Sequence, residues 1–200
     1  MNTSHQRLKP GTQIGGYIIQ HHLGQGGMSD VYQVADVHSG DIHALKLLYD
    51  TDSRVLFELE YEVMVRLNHP GVVRTYRYGV HDGAPWFSME ALSGSPAHVY
   101  IKAFGKPGTQ ARTEEAIRVS TLVARALEYV HGRDIVHRDL KPDNVIVLPD
   151  GRVRLVDFGV ALRKGVFDRV SREGGFVGTP GYAAPEQFTA TAVDQRADLF

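Results

Sequence analysis

The stretch from His137 to Asn144 constrains this chain more than any other, because it brings three different kinds of chemistry onto one short loop. Its sequence, His-Arg-Asp-Leu-Lys-Pro-Asp-Asn, supplies a carboxylate at Asp139, a cation at Lys141 and an amide at its last position. Such a loop can accept a proton, neutralise a phosphate and offer an oxygen ligand to a metal ion. A second acidic motif, Asp157-Phe158-Gly159, begins thirteen residues after the loop ends.

These two motifs resemble the H-R-D-L-x-x-x-N catalytic loop and the D-F-G triplet of eukaryotic-like (Hanks-type) protein kinases of bacteria. The resemblance covers residues 14–200 and implies an α+β, bilobal protein-kinase-like fold. In that fold a small antiparallel β-sheet with one helix forms the N-lobe, about residues 14–92, and a mainly helical C-lobe follows at about 93–200. We expect residues 1–13 to be a flexible lead-in, and we expect an incomplete C-lobe in a fragment of a longer gene product.

Composition excludes several other classes of function. The 200-residue chain has no cysteine, which rules out disulfides, thiolate metal sites and cysteine catalysis. Its net charge of −1 gives no overall basic field for nucleic acid. No apolar run reaches the roughly 20 residues of a membrane span, and the polar N-terminus is not typical of a signal peptide. We therefore expect this segment to be cytoplasmic, with a membrane anchor beyond residue 200 left open.

Hydrophobic periodicity predicts the secondary structure. Strands are expected at residues 17–23, 31–37, 42–48, 72–80 and 86–90, and a hairpin at 145–148 and 153–156. Helical spacing predicts helices over 54–68, 97–104 and 113–131, the last with Thr113 as its N-cap and Gly132 as its C-cap. In the first helix the apolar stripe is Val55, Leu59, Val63 and Leu67.

A glycine-rich stretch occupies residues 23–31. Gly24 and Gly26 let the backbone turn tightly and approach phosphate oxygens, although glycines in a hairpin more often mark only a turn. The stretch resembles the kinase glycine-rich loop, with Ser29 in the place of the third glycine. The resemblance implies nucleotide contacts from Leu23, Gly24, Gln25, Gly26, Gly27 and Val31.

Lys46 lies in the third predicted strand, on the same face as Ala44, where Ala-Leu-Lys resembles the A-x-K of the kinase family. A lone strand lysine is more often solvated, but a buried ammonium requires an anionic partner. The resemblance selects Glu60 from the following helix, and the resulting pair would orient Lys46 toward the α- and β-phosphates of ATP. The two neighbouring glutamates are then solvated helix charges: Glu58 and Glu62.

The resemblance also implies an adenine pocket. Met89 lies at its back, and the main chain of a hinge at residues 90–92, with Glu90 and Leu92 as contacts, would bind adenine. Ala44 and Ile146 complete the implied nucleotide contacts. Pro96 stands where some relatives carry an acid that binds ribose.

The resemblance assigns roles within the catalytic loop. Asp139 would accept the proton of the substrate hydroxyl and Lys141 would contact the γ-phosphate. Asn144 and Asp157 would ligate Mg²⁺, with Mn²⁺ as an alternative ion. His137 is expected to be structural.

Residues 178–186 resemble the G-T-x-x-Y-x-A-P-E platform that holds the substrate peptide in this family. Thr179 is expected to form hydrogen bonds near Asp139 and Lys141, and Asp198 to brace the catalytic loop through its main-chain amides. Ser171 is the only hydroxyl side chain between the D-F-G triplet and the platform. We hypothesise that its phosphorylation orders this activation segment; a solvated serine is the alternative.

The leading functional hypothesis is an ATP- and Mg²⁺-dependent serine/threonine protein kinase that acts on protein substrates and self-associates for autophosphorylation in trans. Two alternatives stay open. One is a pseudokinase or scaffold that binds nucleotide or partners without catalysis. The other is a small-molecule phosphotransferase, a class that lacks the platform of residues 178–186.

Overall fold

The computed structural model describes residues 7–158, 162–163, 178–189 and 193–200. It separates into two compact units. The first comprises Met1–Tyr61 and Arg74–Leu92, and the second comprises Glu62–Val73 and Ser93–Phe200.

The first unit is built on a six-stranded antiparallel sheet with the order β1-β2-β3-β4-β6-β5. Its strands are β1 Gln13–Ile14, β2 Tyr17–Gln25, β3 Ser29–Asp36, β4 Ile42–Leu48, β5 Thr75–His81 and β6 Ala84–Glu90. A 3₁₀ turn at Thr51–Ser53 leads into helix α1, Arg54–Met64. Short turns connect β1 through β4 in series and join β5 to β6, whereas β4 pairs with β6 because the chain passes through α1 before β5.

One face of the sheet buries an aromatic and aliphatic core around Tyr17, Leu45 and Trp86. The indole ring of Trp86 packs directly over two glycines. A Cβ added at Gly15 would lie 2.7 Å from the ring, and one at Gly79 would also clash with it. Only glycine leaves room for the indole at these two positions.

Helix α1 differs from its prediction in length and in its buried face. It ends at Met64, before the expected end at residue 68. Val55 is 64% exposed, whereas Phe57 and Glu60 are buried. Of the predicted stripe, Val63 and Leu67 are buried and Leu59 is half-buried, so the prediction was wrong only at Val55. The inward face also carries an aromatic side chain and a charged one that is buried with its partner.

The described residues of the second unit form the helices α2 Ala97–Lys102, α3 Gln110–His131 and α4 Pro185–Phe188. Its strands are β7 Ser95–Pro96, β8 Ile135–Val136, β9 Val145–Val147, β10 Val153–Leu155 and β11 Leu162–Arg163. They form two small antiparallel sheets, β10-β9-β7 and β11-β8. Two 3₁₀ turns lie at Pro142–Asn144 and Gln195–Leu199.

The start of α3 was also predicted wrongly. The helix begins at Gln110 with Thr109 as its N-cap residue, one turn before the expected start at Thr113. The Thr113 hydroxyl donates to the carbonyl of Thr109 at 3.0 Å, which is the back-bonding of a threonine inside a helix. The helix does end at His131, but Gly132 has a right-handed φ of −63°.

The strand expected at residues 72–80 begins only at Thr75. Val72 instead forms a parallel bridge with Leu155 of β10, and the amide of Val73 donates to the Leu155 carbonyl at 3.0 Å. These bonds attach the segment before β5 to the second unit. Among the described residues, no helix is long and apolar enough to cross a membrane.

Candidate active site

Lys46 and Glu60 form a buried ion pair in the first unit. The Lys46 ammonium donates to both carboxylate oxygens of Glu60, at 2.7 and 2.8 Å. Only 11% of the Lys46 side chain and 1% of the Glu60 side chain are exposed. The ammonium also lies 5.8 Å from the centre of the Phe87 ring, on the neighbouring strand. A buried charge needs such a partner, so each of these two residues accounts for the burial of the other.

Helix α1 is anchored to the sheet close to this pair. The ring of Phe57 packs on Phe87 with 5.0 Å between centroids. The hydroxyl of Tyr78 on β5 donates to Glu58 at 2.9 Å, and Arg54 donates to the same carboxylate oxygen at 2.8 Å. These two bonds hold the pKa of Glu58 below its ordinary value. Glu58 keeps 39% of its side chain exposed, as expected of a solvated helix charge, but its hydrogen bonds also tie α1 to β5.

The glycine-rich stretch forms the turn between β2 and β3. The amide of Gly26 donates to the Ser29 carbonyl at 2.8 Å and closes the turn. Tyr49, just after β4, holds it from outside: its hydroxyl donates to the Gly26 carbonyl at 2.7 Å and its amide to the Met28 carbonyl at 3.0 Å. Gly24 and Gly27 have open space where a Cβ would lie. The turn is thus fixed at its base, while its glycines are accessible.

The other residues implied in nucleotide binding lie in both units. In the first, Met89 pairs with Ala44 across β6 and β4. The amide of Glu90 donates to the Arg74 carbonyl at 2.8 Å, so this amide is already used. In the second unit, Ile146 is half-buried on β9 and pairs with Pro96.

The catalytic-loop residues come together in one hydrogen-bond network within the second unit. The Thr179 hydroxyl donates to Asp139 Oδ1 at 2.6 Å. The Lys141 ammonium donates to Asp139 Oδ2 at 2.9 Å and to Thr179 Oγ1 at 2.7 Å. The side-chain amide of Asn144 also reaches Asp139 Oδ2, at 3.2 Å. Residues 40 positions apart are thereby joined around one carboxylate.

This network leaves capacity for a substrate. A carboxylate has about four acceptor positions, so the bonds from Thr179, Lys141 and Asn144 leave room at Asp139 for a substrate hydroxyl. An ammonium has three N–H donors, and the Lys141 bonds within the network use two of them. The arrangement can orient a hydroxyl, accept its proton and present a positive charge to a phosphate.

His137 is fully buried, and both of its ring nitrogens are engaged. Nδ1 accepts from the amide of Asp139 at 3.4 Å, and Nε2 donates to the Val156 carbonyl at 3.1 Å. Its ring packs on Phe158 with 4.5 Å between centroids. The contacts are those of a structural residue that supports the loop.

Asp198 holds the main chain of the loop. Its two oxygens accept the amides of His137 at 2.9 Å and Arg138 at 2.7 Å, and the His131 ring donates to it at 2.7 Å. Burial alone would raise the pKa of Asp198, but the His131 bond, the electrostatic effect of His137 and the two amides outweigh it and lower that pKa. The ionised carboxylate also supports a φ of +65° at Arg138, which is unfavourable for a residue with a Cβ.

Two side chains of the second unit fit the requirements of a magnesium ion. The amide nitrogen of Asn144 donates to the Asp139 carbonyl at 2.8 Å, which fixes the amide and leaves its oxygen as the ligand atom. Asp157 is exposed with a φ of +60°, while the adjacent Phe158 is fully buried. An amide oxygen and a carboxylate are hard ligands of the kind that Mg²⁺ binds.

The platform segment continues from Gly178 into helix α4, so Thr179 lies at its start. Gly159 and the hypothesised phosphorylation site Ser171 lie outside the described residues.

Comparison with known proteins decides the family. The model of the protein kinase domain family matches residues 17–200. The chain belongs to the protein kinase domain family. Members of this family generally use ATP and Mg²⁺.

Similar kinases are found in several bacteria. The chain is 37% identical over 199 residues to the DNA damage-responsive serine/threonine-protein kinase RqkA of Deinococcus radiodurans. It is 34% identical over 195 residues to the serine/threonine-protein kinase PknD of Mycobacterium tuberculosis. These alignments cover 96% and 95% of this chain but only 29% of each relative, so the chain spans less than a third of their length.

A solved structure supports the same conclusion. The crystal structure of the PknI kinase domain from Mycobacterium tuberculosis matches with a TM-score of 0.71 and 31% identity. The match covers 96% of this chain and 72% of that one. It confirms the predicted protein-kinase-like α+β fold.

Sequence reasoning missed some residues of this kinase domain that support the site. Tyr49 and Tyr78 drew no notice, although an aromatic residue directly after β4 is a signal that could have been followed. Gln187 lies directly after the platform motif, but no pattern pointed to its contact with the catalytic loop. Its contacts are described below.

Proposed function

We propose that this chain carries the catalytic residues of a serine/threonine protein kinase, which transfers the γ-phosphate of ATP to serine or threonine hydroxyls of proteins. The observation that carries the proposal is the network in which Thr179 and Lys141 hold the carboxylate of Asp139. The names of the similar proteins, which are serine/threonine-protein kinases, support the same reaction.

In this reaction the substrate hydroxyl oxygen forms a bond to the γ-phosphorus of ATP. The bond between that phosphorus and the β–γ bridging oxygen breaks, and ADP leaves. The hydroxyl proton passes to the carboxylate of Asp139, which acts as the base. Lys141 neutralises charge on the transferred group, and most of the catalysis is positioning and electrostatic stabilisation.

The first unit serves nucleotide binding in this proposal. Lys46, held by Glu60, contacts the α- and β-phosphates, and the turn at Gly24 and Gly26 covers them with its main-chain amides. Leu23, Val31, Ala44 and Met89 provide apolar contacts for the base, while the main chain of residues 90–92 forms its hydrogen bonds.

Asn144 and Asp157 would hold Mg²⁺, or Mn²⁺ in its place, through their side-chain oxygens. Such an ion would supply positive charge to neutralise the phosphates. Because ATP is the co-substrate, we also place this activity in the cytoplasm. Autophosphorylation of Ser171, between two copies in trans, would serve to activate the enzyme.

The test is phosphopeptide mass spectrometry of the full-length protein incubated with Mg·ATP and a protein substrate. Wild type should acquire phosphate, including at Ser171, and transfer it to the substrate. Asp139→Asn should lose transfer by about a thousandfold or more while still binding nucleotide, because the base is gone.

Asp134→Asn is the matched control. Asp134 is exposed, and asparagine tolerates its left-handed φ of 58° as well as aspartate does. The control should keep full activity. Nucleotide binding without transfer by the wild type would favour the pseudokinase, and full transfer by Asp139→Asn would remove the proposed base.

A further inference from the structure

Gln187 bridges the platform segment and the catalytic loop. It lies on α4 and is half-buried. Its Oε1 accepts from the amide of Ala184 at 3.1 Å, which caps the start of α4. Its Nε2 donates to the carbonyl of Arg138 at 2.8 Å, across 49 positions of sequence. One side chain therefore uses its acceptor on its own segment and its donor on the loop.

The bond at Arg138 matters because of what that carbonyl is joined to. The carbonyl of Arg138 and the amide of Asp139 belong to the same planar peptide group. The amide of this peptide group donates to His137 Nδ1 at 3.4 Å, and its carbonyl accepts from Gln187 Nε2. Together they fix the plane that leads directly into the Cα of Asp139.

This peptide plane needs outside support. Arg138 has a φ of +65°, a conformation that costs about 1 kcal/mol or more for a residue with a Cβ. Asp198 holds the amide side of Arg138 at 2.7 Å. Gln187 supplies the hydrogen bond on the opposite side of the same residue, so two distant side chains stabilise the left-handed conformation.

The segment from Gly178 to the end of α4 thus contacts the catalytic loop at two points, one at Asp139 and one at the residue before it. Thr179, at its start, fixes the side chain of Asp139 through a 2.6 Å bond. Gln187, near its end, fixes the main chain just before it. We propose that Gln187 is a positioning residue that couples the substrate platform to Asp139, which rests on the proposed kinase function.

Two substitutions at Gln187 distinguish its bond to Ala184 from its bond to Arg138. Gln187→Glu has almost the same shape and keeps an acceptor for the Ala184 amide, but a carboxylate cannot donate to Arg138 and repels its carbonyl. Gln187→Lys keeps a donor that can reach this carbonyl but has no acceptor for the amide. If the bond to Arg138 positions Asp139, Gln187→Lys, which retains the donor, should be more active than Gln187→Glu, which does not.

The full-length variants are compared by steady-state kinetics with a peptide substrate. Gln187→Glu should lower kcat about tenfold to a hundredfold, as a displaced catalytic group does, with the dissociation constant for ATP unchanged. Gln187→Lys should stay within about threefold of wild type, since a hydrogen bond retained costs little. Gln195→Glu is the matched control, because it places the same charge at an exposed position of the same unit and should leave kcat unchanged.

A pH series gives a readout that a purely structural role would not move. A protonated glutamic acid can donate where a carboxylate cannot, so the ratio of variant to wild-type kcat should rise as pH falls toward about 5. The proposal is overturned if this kcat ratio does not change with pH, or if Gln187→Glu is more active than Gln187→Lys. Gln187 would then serve only to cap α4. Thermal unfolding of both variants at the assay temperature while Gln195→Glu stays folded would overturn the proposal as well.

The same kinetic comparison includes Asp139→Asn. If that variant keeps full activity, the proposed function fails, whatever Gln187 does. If it is inactive and Gln187→Glu is as active as wild type, the proposed function stands and only the positioning role is lost.

Discussion

The ion pair of Lys46 with Glu60 and the loop around Asp139 reach a fixed geometry by different physical means. The first joins a regular strand to a regular helix, and two short bonds between buried opposite charges complete it. The second has irregular backbone with a left-handed residue at Arg138, and bonds from distant side chains hold it.

This difference determines how each site should respond to the loss of a single interaction. At the Lys46–Glu60 site two opposite charges are buried together, so loss of either member removes a compensating charge from beside the other. In the second unit the hydrogen bonds that hold the loop come from Thr179, Lys141, Asn144 and Asp198. Loss of one of these bonds should therefore weaken the loop without unfolding it.

The largest effect should follow from breaking the pair. Glu60→Gln should lower the free energy of unfolding by about 3 kcal/mol, because the buried Lys46 ammonium loses the charge of the carboxylate that accepts two of its hydrogen bonds. Chemical denaturation measures it. Glu62→Gln, the same change on an exposed position of α1, should cost less than about 0.5 kcal/mol. Equal values for the two variants would mean that the pair contributes nothing beyond its shape.

A pH series on Asp198 sharpens the contrast with the loop. The folded-state pKa of Asp198 is lowered, so its stabilisation is complete above the unfolded value of about 3.8 and is lost as pH falls through the folded value. Asp198→Asn should destabilise by about 1–3 kcal/mol at pH 7. The difference from wild type in unfolding free energy should shrink below about pH 4. A difference that stays constant down to pH 3 would contradict this account.

The smallest effect concerns the glycine-rich turn. Tyr49→Phe removes the 2.7 Å bond to the Gly26 carbonyl and keeps the ring. The KM for ATP should rise about threefold to tenfold with kcat nearly unchanged, which corresponds to one net hydrogen bond. Tyr61→Phe, on α1, should leave this KM as it is. An equal rise in both variants would point to general loosening of the first unit instead.

The same contrast explains what the sequence could predict. Lys46 lies on a strand with clear alternation, and the family resemblance selected Glu60 from the helix that follows, so the two residues could be brought together before the structure was known. The hairpin at 145–155 followed from local turn chemistry in the same way. Predictions of this kind depend on residues that are close in sequence.

The remaining contacts depend on tertiary structure. Gln187 reaches Arg138 across 49 positions and Asp198 reaches it across 60, and no local pattern encodes a bond to a particular main-chain carbonyl. The start of α3 was missed because Thr113 satisfies both a capping pattern and a mid-helix position. The inward face of α1 was predicted only in part, because Val63 and Leu67 belong to the apolar stripe whereas a buried glutamate does not count as apolar.

The packing of Trp86 against Gly15 and Gly79 has a practical consequence for spectroscopy. It is the only tryptophan in the chain, and 5% of it is exposed, within the core of the first unit. Its fluorescence emission therefore reports on the first unit alone, whereas far-ultraviolet circular dichroism is weighted toward the long α3 of the second. Following both signals through one denaturant titration would show whether the two units unfold together, without a label or a mutation.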